Sequence, residues 1–233
     1  MARAEAYSEA VKSPVTKYVT WSSNDKCFSY YDREKKVNVP LKLPVRIIHF
    51  RDFASIKGFH DASQSSIYSN EVTSVKNEPL VVRSFKGGEL IKGLYADIKL
   101  KLKEIGGKYN MSMYGMIDGE LVNISIGGAI LQHWSDFSKE NRNKFLGNYI
   151  DVNSALDLKK GSVKYSVPVF TLGAPIDAKE SAKADALDDE LLEYFKKRAQ
   201  APTEQTAVAV HAEEVPAPKF AEFSNEATDD LPW

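Results

Sequence analysis

Lys99, Lys101 and Lys103 alternate with Ile98, Leu100 and Leu102. On an extended strand, same-face residues lie roughly 6.6 Å apart, so the three ammonium groups would form a row able to follow the phosphates of an extended polyanion. The same alternation also describes an edge strand guarded by lysines against aggregation. A second constellation interleaves aromatic and basic residues, in Trp21 with Lys26-Cys27-Phe28-Ser29-Tyr30-Tyr31-Asp32-Arg33 and in Lys57-Gly58-Phe59-His60-Asp61. A basic groove with aromatic platforms holds unpaired nucleic-acid strands, each stacked base contributing roughly 1 to 3 kcal/mol. Aromatics also build cores, and strand alternation puts Phe28 and Tyr30 on one face and Cys27, Ser29 and Tyr31 on the other. Only one of those sets can face a groove.

The most specific short signal is Asp229-Asp230-Leu231-Pro232-Trp233. A final aromatic joins a bulky apolar group to a free carboxylate, Pro232 stiffens the approach, and the two aspartates suit a basic rim on a partner. These five residues are therefore expected to dock a partner protein.

Other chemistries find little support. His49, His60, His133 and His211 have no zincin spacing, and Cys27, the single cysteine, can form neither an internal disulfide nor a cysteine-pair zinc site. Phosphate-loop, nucleophile-elbow and two-metal carboxylate patterns are missing. The expectation is a protein that is not an enzyme and uses no cofactor or metal. The N-terminal residues lack the apolar run of a signal peptide and no stretch has the length of a membrane span, which predicts a cytoplasmic protein without membrane association.

The net charge of −1 hides an asymmetry. Residues 201–233 hold seven acids and one base, and residues 174–200 seven acids and five bases, which leaves residues 1–173 with a net charge of +7. A basic body tied to an acidic tail suits a body that meets a polyanion and a tail that does not.

The elements that must position these residues are short. Val15–Trp21 and Lys26–Tyr31 read as strands joined at Ser22-Ser23-Asn24-Asp25; Val45–Phe50, Leu80–Phe85 and Glu89–Tyr95 read as further strands. The Ile98–Lys103 alternation reads as another, turning at Gly106-Gly107 into Tyr109–Ile117 and at Asp118-Gly119 into Glu120–Ile126. Gly128–Phe137 has helical spacing, and Val163–Leu172 closes the β-rich region. After it, Leu187, Leu191, Tyr194 and Phe195 repeat as the stripe of an amphipathic helix over 174–200, and 201–233 has too few apolar residues to offset chain entropy, so disorder is expected there. The prediction is a mainly β domain over 1–173, an OB-fold-like antiparallel barrel with one or two helices, followed by the 174–200 helix and the acidic tail.

The tip resembles that of bacterial single-stranded DNA-binding proteins, Asp-Asp-Ile/Leu-Pro-Phe, with Trp233 in place of Phe. The body resembles the divergent OB-fold single-stranded DNA-binding proteins of tailed bacteriophages, in Ser55-Ile56-Lys57-Gly58-Phe59-His60-Asp61, Ser66-Ile67-Tyr68-Ser69-Asn70-Glu71, Lys92-Gly93-Leu94-Tyr95 and Gly127-Gly128-Ala129-Ile130-Leu131-Gln132-His133-Trp134. The resemblance implies a protein of the host cytoplasm that coats single-stranded DNA during phage replication and recombination. It also implies that the tail recruits replication or recombination proteins and, when unengaged, competes with DNA. The expected DNA contacts are Trp21, Tyr30, Lys57, Phe59, Tyr68, Lys92, Tyr95, Lys99 and Lys101; self-association is possible. The rival reading is an adaptor whose β-domain serves assembly and whose tail only solubilises.

Overall fold

A computed structural model describes residues 12–200. The expected disordered tail and docking tip, Asp229, Asp230, Leu231, Pro232 and Trp233, lie outside the described residues. Eleven strands form one connected, mainly antiparallel sheet. They are β1 (Lys17–Ser22), β2 (Cys27–Asp32), β3 (Val37–Leu41), β4 (Val45–His60), β5 (Ser65–Ser69), β6 (Leu80–Ser84), β7 (Gly88–Gly93), β8 (Gly107–Ile117), β9 (Glu120–Gly127), β10 (Asn148–Lys160) and β11 (Val163–Pro175). Three α-helices accompany them: α1 (Tyr95–Glu104), α2 (Ile130–Asn141) and α3 (Ala178–Gln200).

The strand order runs β3-β2-β1-β9-β8-β4-β5-β6-β7, and the two ends of this path do not pair. The expected all-antiparallel arrangement is corrected at one seam: β1 runs parallel to β9, with Val19 opposite Ile124. Strand β4 is long enough to serve three neighbours. Its first residues pair with β10, its middle with β8 and its end with both β8 and β5, and the β8 register shifts between His49 and Arg51. A bulge of this kind bends a strand and increases its twist. Local turn chemistry is legible in the backbone: the β8–β9 turn has Asp118 at φ 51° and Gly119 at φ 76°, the paired positive φ of a tight hairpin.

The Ile98–Lys103 alternation is helical, which corrects the lysine-strand expectation. Ile98 and Leu102 are buried in α1 while Leu100 is 76% exposed. Residues i and i+4 share a face in both a helix and a strand, so five positions do not separate the two periods. Leu and Lys favour a helix over a strand, which prefers β-branched residues, and packing of Ile98 and Leu102 on the sheet completes the choice.

The back of the sheet is apolar along its length. Val19, Phe28, Met113, Ile124 and Ile126 pack with Trp134 of α2 and with Ile150, Val152 and Phe170 of the β10–β11 hairpin. Ile56, Ile67, Leu80 and Val82 pack with Ile98 and Leu102 of α1. On the front, α3 covers one end of the sheet, where Leu191 and Tyr194 meet Tyr114 and Leu121. Arg51 and Asp188 pair between β4 and this helix.

Candidate nucleic-acid interface

Beyond the end covered by α3, the front face is polar, aromatic and cationic. Strand register fixes its membership. Lys57 lies opposite Lys108 and Tyr68, Ser55 opposite Asn110, and Ser112 opposite Ser125. Tyr68 lies opposite Arg83, and Val81, two residues before Arg83, lies opposite Lys92. Thr20 lies opposite Ser125 on one side and Ser29 on the other, which extends the same face to β2.

The floor is a continuous hydrogen-bonded row. Lys57 Nζ donates to Ser125 Oγ at 3.0 Å, Ser125 Oγ donates to Asn110 Oδ1 at 2.7 Å, and Asn110 Nδ2 donates to Ser55 Oγ at 3.2 Å. Ser55, Asn110, Ser112 and Asn123 are buried. A buried polar group without a partner costs roughly 1 to 3 kcal/mol, so this chain of partners is what makes a polar floor tolerable in the middle of a sheet. Burial pushes the Lys57 ammonium below the usual lysine range, and the nearby Glu71 carboxylate opposes that shift. A half-buried lysine held this way gains from an arriving anion.

The wall next to α3 is acidic and aromatic. Tyr114 Oη donates to both carboxylate oxygens of Glu71, at 2.9 and 2.8 Å, and Arg198 of α3 approaches Glu71 at 3.6 Å. Burial, followed by the Glu71 charge, raises the Tyr114 phenol far above its ordinary range. Phe53 packs edge-on to Tyr114, with ring centroids 5.7 Å apart. The far wall carries Phe59, 39% exposed, and Phe85, 38% exposed, the latter 5.0 Å from the Tyr68 ring.

The sequence-derived candidates separate into groups. Lys57, Phe59, Tyr68 and Lys92 share the front face. Trp21 and Tyr30 do not: they alternate with Thr20 and Ser29, pack against the main core beside Val19 and Phe28, and Trp21 Nε1 donates to the Ser166 carbonyl at 2.9 Å. Parity therefore gives the front face to Tyr18 and Tyr31 instead. Tyr95, Lys99 and Lys101 belong to α1, which packs behind the sheet. Tyr95 meets Tyr109 edge-on at 5.4 Å, and burial pushes the Tyr109 phenol up to about 12. Lys99 and Lys103 follow one side of the helix, whereas Lys101, two residues from each, points away from both. The three lysines thus form no single row.

Sequence reading missed Arg83, Lys108, Asn110 and Ser125. A usable signal was present in β8 and β9, where Asn110, Ser112 and Tyr114, and then Asn123 and Ser125, alternate with apolar residues. Among the described residues, no cluster of His, Cys, Asp and Glu has the arrangement of a metal site, and no helix is long and apolar enough to cross a membrane. No family model, curated protein or solved structure matches the chain.

Proposed function

We propose that the protein binds single-stranded DNA on the front face, without catalysis and with little base preference. The observation that carries this reading is Lys57, a half-buried ammonium on a hydroxyl and amide floor, with Phe59, Tyr68 and Phe85 beside it and Arg83 and Lys92 farther along the same face. Cations spaced along a face and exposed aromatic rings are the two components a sequence-tolerant strand binder needs. A sheet whose two ends do not pair leaves an open face, to which a flexible single strand can conform. The long β4, with its register shift against β8 and pairing to three neighbours, is the feature an OB-like description would build on, and that finer description is part of the proposal.

The basic body and acidic tail extend the reading to recruitment: residues 229–233 dock replication or recombination proteins in the host cytoplasm, while a groove on the 1–173 domain holds DNA. The test compares labelled oligo-dT with duplex DNA of equal length at several salt concentrations. Selective retention of oligo-dT, with log affinity falling against log salt at roughly −2.8 for about four phosphates, supports the reading. Absence of binding at low salt, or binding that ignores salt, would overturn it. Removing residues 229–233 should leave or strengthen DNA binding and abolish partner capture.

A further inference from the structure

A second cationic site lies round the end of β8 from Lys57. A small cleft of about 40 Å³ opens where α1, the first residues of β8 and the start of α2 meet, and Tyr95, Lys99, Lys103, Lys108, Tyr109 and Gly128 line it. Lys99 and Lys103 are one helical turn apart on α1, roughly 6 Å along its axis. Lys108 is the Cα partner of Lys57 across the β4–β8 ladder, so its backbone is about 5 Å from that of Lys57. Lys108 is therefore common to both places: register puts it on the front face beside Lys57, and it also lines the cleft.

The backbone here allows nothing bulkier. A Cβ on Gly58 would lie 2.1 Å from the Gly106 carbonyl oxygen, and one on Gly106, at φ 80°, would lie 2.2 Å from the Phe59 carbonyl oxygen. The α1–β8 turn is thereby pressed against the end of β4, which brings the cleft beside the Lys57 face. Lys103 and Lys108 are exposed and have no ion-pair partner among the described residues.

Charge defines the class of ligand. The cleft has room for more than one water, each needing about 10–15 Å³ of such space, and the lysines that line it favour an anion. The edge-on contact of Tyr95 with Tyr109 already engages both rings. We infer that the Lys99–Lys103–Lys108 cleft binds a phosphodiester of the same DNA strand as it leaves the Lys57 face and turns round the end of β8. This inference rests on the reading given under Proposed function and adds a path and a phosphate site to it.

The experiment uses the full chain and its K99Q/K103Q variant, titrated with a short and a long oligo-dT over a range of salt. Lys101→Gln, on the other side of α1, serves as the control, and urea unfolding of each variant verifies the fold. The expected result is a several-fold loss of affinity for the long oligonucleotide, with the salt slope shallower by roughly 0.7 for the phosphate released. The short oligonucleotide, held on the front face alone, changes much less, and Lys101→Gln behaves as wild type. If K99Q/K103Q unfolds, the single variants Lys99→Gln and Lys103→Gln provide the same comparison. A wild-type slope in folded variants overturns the phosphate site while leaving the front-face reading intact. Failure of the wild-type chain to bind either oligonucleotide overturns both.

Discussion

Lys57 of β4 reaches across β8 to donate to Ser125 of β9, 3.0 Å away, and so ties together three strands with one side chain. The lysine is the cation of the proposed interface and also a member of the hydrogen-bonded floor. Its environment makes two opposite pH dependences.

Burial lowers the folded-state Lys57 pKa beneath its ordinary 10.5. The unfolded chain then holds this proton more tightly than the folded one, so the Lys57 contribution to stability rises as pH increases through the folded pKa toward 10.5. A bound phosphate favours the charged form and raises the pKa in the complex, so DNA affinity falls over the same interval. As pH rises toward 10.5, wild type should lose affinity for oligo-dT more steeply than Lys57→Arg, whose guanidinium stays charged. Parallel pH profiles for the two proteins would remove Lys57 from the interface.

Asn110 links Ser125 to Ser55, and Asn110→Ala takes one partner from each hydroxyl, leaving Ser125 with Lys57 and Ser55 with Ser112 and the residue 110 carbonyl. The expected loss is about 2 kcal/mol in urea unfolding. Ser55→Ala removes a hydroxyl but leaves Asn110 bonded to Ser125, and should cost less.

Gly58→Ala tests the close approach of β4 to the α1–β8 turn. The added methyl would meet the Gly106 carbonyl oxygen at 2.1 Å, and backbone is not a neighbour that moves cheaply. A destabilisation of about 2 kcal/mol or more is expected, together with weaker binding of a long oligonucleotide, because the cleft and the Lys57 face separate.

Trp21 and Phe59 should respond in opposite ways. Trp21→Phe loses the donor to the Ser166 carbonyl, lowering stability by about 1 kcal/mol with DNA affinity unchanged. Phe59→Ala, at a ring 39% exposed, should weaken oligo-dT binding by roughly 1 to 3 kcal/mol and barely alter the urea midpoint. The pair is decided by fluorescence titration and unfolding of the same two samples.

Much of the local structure was legible in the residues themselves. Ser22–Asp25, Asp118-Gly119 and the Leu187–Phe195 stripe announced two hairpins and a helix, and all three are present, at β1–β2, β8–β9 and α3. Strands β3, β5 and β10 escaped because β3 contains Pro40, three of the five residues of β5 are serines, and β10 carries a mixed pattern. Lys57, Phe59 and Tyr68 could be nominated from residue type and spacing, whereas Trp21 and Tyr30 looked equally suitable.

The sequence by itself determined the mainly β class, the hairpin turns, the amphipathic helix and the division of charge between body and tail, because each depends on neighbours within a few residues. Only the tertiary structure decided which side of each strand faces the core. Register joins Lys57 to Lys108, and Ser112 to Ser125, across strands that sequence order leaves apart. Tertiary packing also settled α1: Ile98 and Leu102 satisfy both periods, and the apolar face formed by Ile56, Ile67 and Leu80 is what they cover. A short alternation states that one side is apolar, and only the surface it meets settles the geometry by which that side is buried.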